Sequence, residues 1–156
     1  MAERIALVED ERLVRELVAV NLRHAGYEIV AAENFADGKA LLTSVSPLTY
    51  SDKIVKPLLI GQGANDPRVN KRESDQIVEA MKAKNVPVTY VLFPDEGHGF
   101  ARPVNNIAFN AVAENFLQPC LGGRAEPIGN SLQPSTAKVL YGEQFTRGLA
   151  EAVKGQ

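Results

Sequence analysis

Four times along this chain a short apolar run of strand length is followed by a segment whose apolar residues recur at helical spacing. The runs are Arg4–Val8, Glu28–Ala32, Pro57–Gly61 and Val88–Phe93. Each is too short for a buried helix. They are largely apolar at consecutive positions, as strands covered on both faces are. Between Glu11 and Ala25 the residues Val14, Leu17, Val18, Leu22 and Ala25 share one helical face, and Gly26 supplies the stop. Asn34 can cap a second helix carrying Phe35, Ala36, Ala40 and Leu41. Ile77, Val78 and Met81 mark a third helix over 72–84, and 106–117 reads as a fourth, ending near Pro119 and Gly122. Strands that alternate with helices at this spacing form βαβ units, which pair in parallel with helices on both faces.

These units predict an α/β, flavodoxin-like three-layer sandwich. It has about four parallel strands in the order 2-1-3-4, with helices on both faces and functional loops at the strand C-terminal ends. At 156 residues the chain reads as a single domain, 1–156. The pattern lapses over 43–56, between Pro47 and Pro57. It lapses again over 122–137, where three glycines and two prolines suppress any period. Residues 127–156 are read as a tail with a last helix over 142–154 through Phe145, Leu149, Ala152 and Val153. Four strands leave two edges, and the one at Val88–Phe93 is apolar. The expectation is a homodimer through that exposed sheet edge, or coverage of the edge by residues 122–156.

Charge and composition narrow the function classes. A net charge of −2 supplies no basic field for nucleic acid or anionic lipid, so neither is expected as a partner. Arg68, Lys71, Arg72, Lys82 and Lys84 alternate with Glu73, Asp75 and Glu79 and form a solvated face. No apolar run approaches the roughly 20 residues of a membrane span. The single cysteine, Cys120, excludes an intramolecular disulfide. With an N-terminus unlike a signal peptide, it fits a cytoplasmic protein.

Two constellations carry chemistry. The first is the acidic pair Glu9-Asp10 after the first strand. Adjacent carboxylates are hard oxygen ligands suited to Mg²⁺, and carboxylates at a helix N-terminus are also favoured by its dipole. The segments Arg4–Leu17 and His24–Asn34 resemble the opening of bacterial response-regulator receiver domains, a resemblance that covers residues 4–42. It implies that Glu9 and Asp10 match a pair that binds Mg²⁺ beside a phosphoacceptor aspartate on strand three. Here strand three ends Leu59-Ile60-Gly61-Gln62-Gly63 without that aspartate, and no fifth strand brings the family's lysine. Phosphotransfer is therefore not expected. Glu9 and Asp10 remain as weak metal ligands, and Mg²⁺ is the one cofactor left open. His24, near a helix C-terminus, reads as a helix-end residue.

The second constellation is Asp66 with His98. It is carried by Pro57-Leu58-Leu59-Ile60-Gly61-Gln62-Gly63-Ala64-Asn65-Asp66-Pro67-Arg68-Val69, by Ser74–Met81, and by Phe93-Pro94-Asp95-Glu96-Gly97-His98-Gly99-Phe100. From Ser46 to about Pro127 the chain is similar to the C-terminal part of prolyl oligopeptidase-type serine peptidases, which are α/β hydrolases. The resemblance implies that Asp66 orients His98 and that His98 activates a serine. In that family the serine sits on a Gly-x-Ser-x-Gly elbow upstream of the aspartate. Serines 44, 46, 51, 74, 131 and 135 are the ones present, and none has that setting.

The main expectation follows from the two partial sites. Residues 1–42 form a receiver-like βαβα fragment and 46–126 an α/β-hydrolase fragment, joined near 42–46 by engineering or recombination, with no competent native activity. One alternative is a residual hydrolase in which His98 is the base and Asp66 its orienter. Another is a receiver-like Mg²⁺-binding module using Glu9 and Asp10.

Overall fold

A computed structural model describes residues 3–155. The chain divides between Tyr50 and Ser51 into two compact units. The first contains β1 (Arg4–Val8), α1 (Arg12–His24), β2 (Glu28–Ala32) and α2 (Phe35–Val45). Strand β1 pairs with β2 in parallel, from Arg4 opposite Glu28 to Val8 opposite Ala32. Gly26, at φ +93°, ends α1. Its amide donates to the Arg23 carbonyl and the Tyr27 amide to that of Leu22, the two bonds of a Schellman cap. Asn34 caps α2 as expected: its Oδ1 accepts the Asp37 amide at 2.9 Å, and its Nδ2 donates to Asp37 Oδ2 at 2.7 Å.

The core of this unit is thin. Of the α1 face expected to be buried, Val18 and Leu22 are half-buried, whereas Leu17 is 65% exposed and Val14 is exposed too. Ala19 is the buried residue of that helix. Two strands about 4.8 Å apart make a ribbon narrower than a helix with side chains, about 10 Å wide. Such a ribbon covers a stripe of α1 and leaves the flanks to solvent.

The second unit contains β3 (Leu58–Gly63), α3 (Lys71–Ala83), β4 (Val88–Phe93), α4 (Pro103–Leu121), β5 (Lys138–Tyr141) and α5 (Leu149–Lys154). A 3-10 helix, Pro47–Lys53, spans the division between the units. Strands β3 and β4 run parallel in register, Leu58 opposite Val88 through Gly63 opposite Phe93. Strand β5 lies antiparallel on the other side of β4, with a bulge between Tyr90 and Val91. Side chains alternate across a strand, so Val88 and Tyr90 meet Val78 and Met81 of α3. On the opposite face Val91 and Phe93 meet Ala108 and Val112 of α4, Leu149 and Ala152 of α5, and Ile128, Leu132 and Ala137.

The α/β class and helices on both faces of a β-sheet are therefore present, but the expected strand order 2-1-3-4 is not seen. That order needs a β1–β3 ladder, and among the described residues β1 bonds to β2, while β3, β4 and β5 form a separate sheet. After α4 the chain runs on through the turn-rich segment 122–137 before β5 begins, and β5 then lies antiparallel to β4. The stretch read as a tail is part of the core, with Ile128, Leu132 and Ala137 buried. The edge of β4 is covered by Lys138–Tyr141, which lies within the 122–156 stretch named as the alternative to a second copy. Helix α4 also runs through Pro119 to Leu121. Pro119 has no amide to donate to the Asn115 carbonyl, so the ladder lacks one bond in that turn, and Gly122, at φ +71°, ends the helix. No helix among the described residues is long and apolar enough to cross a membrane.

Candidate active site

Parallel strands put their C-terminal ends side by side, and the loops that leave β3 and β4 there carry Asp66 and His98. The two loops are laced together by backbone bonds. The Ala64 amide donates to the Phe93 carbonyl at 3.0 Å, and the Asn65 amide to that of Glu96 at 2.9 Å. Asn65 Nδ2 donates to the Pro94 carbonyl at 2.9 Å. Gly63 makes this approach possible, because a Cβ there would lie 2.1 Å from the Gly97 carbonyl oxygen. Beyond the loop Phe100 packs on Phe93 and Phe109, with ring centroids 4.4 and 5.0 Å away, so the stretch holding His98 is anchored at both ends.

Asp66 closes its own turn. Its Oδ1 accepts the amides of Arg68 at 2.8 Å and Val69 at 3.0 Å, and its Oδ2 meets His98 Nδ1 at 2.9 Å. The Asp66 side chain is 8% exposed and that of His98 48%. The Val69 amide, against the opposing effect of burial and with help from the Arg68 amide and His98, draws the Asp66 carboxyl down to about 2. The carboxylate is ionised at neutral pH and can accept only. His98 Nδ1 must therefore carry the proton, which leaves Nε2 as the basic nitrogen of a half-exposed ring. A base oriented by a buried carboxylate can take a proton from a hydroxyl or from water.

No serine hydroxyl among the described residues bonds to His98. Ser44 and Ser135 donate to the carbonyls of Leu41 and Leu132, and Ser74 donates to Gln62 Oε1 at 2.6 Å. Glu9 and Asp10 lie at the C-terminal end of β1, as expected. There Glu9 Oε1 accepts the Glu11 amide at 3.0 Å, and Arg15 Nη1 donates to the Glu9 carbonyl at 2.6 Å. Among the described residues no three His, Cys, Asp or Glu side chains converge as metal ligands. The bond to Glu9 comes from the amide of Glu11, which precedes α1, and the helix itself receives no side-chain cap there. Two adjacent carboxylates, one of them holding that amide, do not fit a Mg²⁺ site. His24 Nδ1 lies 3.2 Å from the Val20 carbonyl, at the end of α1.

Sequence reasoning missed Glu96 and Asn105. Glu96 is 3% exposed and Asn105 fully buried. Glu96 Oε2 accepts the Ala101 amide at 2.9 Å, and its Oε1 accepts the Arg102 amide at 2.9 Å and Asn105 Nδ2 at 2.8 Å. Burial works to raise the Glu96 carboxyl, but the donors from Asn105, Arg102 and Ala101 outweigh it and hold the group below the usual range. The one sequence signal was an acid two residues before the histidine, in a loop whose amides ahead of α4 need acceptors.

Comparison with known proteins now separates the two resemblances. The sequence profile of the prolyl oligopeptidase family matches residues 23–124. The match begins inside the stretch read as receiver-like, well before the expected boundary at 46. The dipeptidyl aminopeptidase BIII of Pseudoxanthomonas mexicana is 70% identical over 118 residues, which cover 76% of this chain and 17% of that protein. The dipeptidyl peptidase family member 6 of Caenorhabditis elegans is 52% identical over 92 residues, 59% of this chain and 12% of that protein. The human acylamino-acid-releasing enzyme is 34% identical over 56 residues, 36% of this chain and 8% of its own length. The chain thus spans less than a fifth of the length of these relatives. Its paired loops, with their aspartate and histidine, and the extent of the profile match lead to one conclusion: the chain belongs to the prolyl oligopeptidase family.

Proposed function

We propose that the Asp66–His98 pair is the orienter and general base of a serine-peptidase-type hydrolase. In the full reaction His98 Nε2 takes the proton of a serine hydroxyl as its oxygen bonds to the acyl carbon. It then returns that proton to the leaving amine as the C–N bond breaks, and water repeats the sequence to free the acid. The serine comes from polypeptide other than these residues, on an elbow that faces the C-terminal ends of β3 and β4. The relatives' names, dipeptidyl peptidases and acylamino-acid-releasing enzymes, suggest cleavage near a peptide's N-terminus as the substrate class. The observation that carries the reading is the 2.9 Å contact between His98 Nδ1 and a nearly buried, ionised Asp66.

Without a serine, the pair can still act on an activated ester through His98. Turnover of a nitrophenyl ester is expected above that of His98→Ala, with Asp66→Asn in between. Equal rates for wild type and His98→Ala would overturn the reading.

A second reading, the joining of a receiver-like fragment to a hydrolase fragment, rests on the division at Tyr50–Ser51. The profile match from residue 23 counts against a junction at 42–46. The test is residues 51–156 expressed alone. Cooperative unfolding with the Asp66–His98 contact intact favours two separable pieces; loss of the fold sinks the idea.

A further inference from the structure

We propose that Glu96 is a positioning residue for His98: its buried carboxylate, with Asn105, fixes the loop that aims the imidazole at Asp66. The proposal deepens the hydrolase reading and rests on His98 being the base. Glu96 stands two residues before His98, and its carboxylate accepts the amides of Ala101 and Arg102 beyond it, each at 2.9 Å. His98 therefore lies within a loop closed by a side chain of that loop. The backbone of the same residue reaches the other partner, because the Glu96 carbonyl accepts the Asn65 amide at 2.9 Å, next to Asp66. Glu96 is thus bonded to both loops of the pair.

Asn105 extends this hold into the scaffold. Its Nδ2 is shared between Glu96 Oε1 at 2.8 Å and Asp95 Oδ1 at 3.0 Å. Its Oδ1 accepts the Thr136 amide at 2.9 Å, from the segment that leads into β5. Thr136 Oγ1 also donates to Asp95. The nearby cation is engaged elsewhere, as Arg102 Nε meets Asp95 Oδ2 at 2.9 Å. Glu96 is therefore a buried charge satisfied by neutral donors alone. Packing does not favour that arrangement, since an apolar residue would fill the space without desolvating a carboxylate. What the charge supplies is direction: several charge-assisted bonds fix one loop geometry.

The test is the exchange rate of the His98 Nδ1 proton, followed by NMR in the full chain, with His24→Gln to remove the other imidazole. The wild type should show a protected Nδ1–H signal that Asp66→Asn abolishes. Glu96→Gln keeps the shape but turns a donor towards the Ala101 amide. It is expected to speed exchange by about tenfold or more while unfolding stays cooperative. Asn105→Ser, which spares both backbone bonds to Glu96, should give a smaller increase and decides the matter if Glu96→Gln does not fold. Wild-type exchange in a folded variant would overturn the proposal and leave Glu96 a stabilising residue only. Absence of the protected proton in the wild type would overturn both the proposal and the base reading. A signal that responds as expected, in a chain whose ester turnover equals that of His98→Ala, would sink the hydrolase reading alone.

Discussion

Replacing Gly63 by alanine tests whether close approach of the two loops builds the site. A Cβ on Gly63 would lie 2.1 Å from the Gly97 carbonyl oxygen and 2.6 Å from that of Glu96. An unstrained carbon–oxygen contact is about 3.3 Å or longer, so the His98 loop must retreat by roughly 1.2 Å. Backbone, not a flexible side chain, has to move. Such overpacking costs about 1–3 kcal/mol. The retreat also stretches the bond from the Asn65 amide to the Glu96 carbonyl, now 2.9 Å, beyond bonding range, which adds about 1 kcal/mol. Together these give a destabilisation of about 2–4 kcal/mol. Urea unfolding followed by circular dichroism reads it as a lower midpoint at unchanged slope. Gly97→Ala is the control, since its nearest atom, the Asn65 carbonyl oxygen, is 3.7 Å away, an ordinary contact. It should stay within about 0.5 kcal/mol of wild type. If the two variants unfold at the same urea concentration, the loops are not held by that approach and the reasoning fails.

Three further outcomes are expected. Asp66, drawn from 3.8 to about 2 in the fold, stabilises above the unfolded value, and its contribution disappears as pH falls through the folded one. The gap in urea midpoint between wild type and Asp66→Asn should therefore be constant above about pH 4 and close towards pH 2; a gap that ignores pH would remove the cause assigned here. Leu132→Ala should cost about 2–5 kcal/mol, because Leu132 is fully buried; a cost under about 0.5 kcal/mol would return residues 127–137 to the status of a tail. Leu17→Glu, at a site 65% exposed, should change stability by less than about 0.5 kcal/mol, and a loss of several would mean that α1 buries that face in solution.

The parts of the fold legible in the sequence are those set by local periodicity. β4 lies at Val88–Phe93, as expected, because Pro87 and Pro94 bound it and its residues suit a strand covered on both sides. Gly26 and Asn34 ended and began helices as expected, since caps act within a few residues. Pairing was not legible. Which strand lies beside β3 depends on contacts distant in the chain, and four repeated βα units favoured one continuous sheet. Strand β5 escaped notice because its four residues, Lys138–Tyr141, follow a stretch of turns. Their value lies in covering the edge of β4 rather than in any period of their own.

The site divides along the same line. Asp66 and His98 could be named from motifs because their chemistry fixes residue type at fixed distances from strand ends. Glu9 and Asp10 could be named by the same reasoning, but the structure gives the Glu9 carboxylate the amide of Glu11 to hold, in the turn before α1. A carboxylate's residue type does not say whether its acceptors face a cation or the backbone. Glu96 poses that question most sharply. Its donors are two amides of its own loop and Asn105, and their convergence depends on where α4 starts relative to β4. An aspartate–histidine pair of this kind is thus readable as two letters in the sequence, whereas the bonds that close the histidine's loop run to a buried carboxylate that the sequence shows only as one more acid.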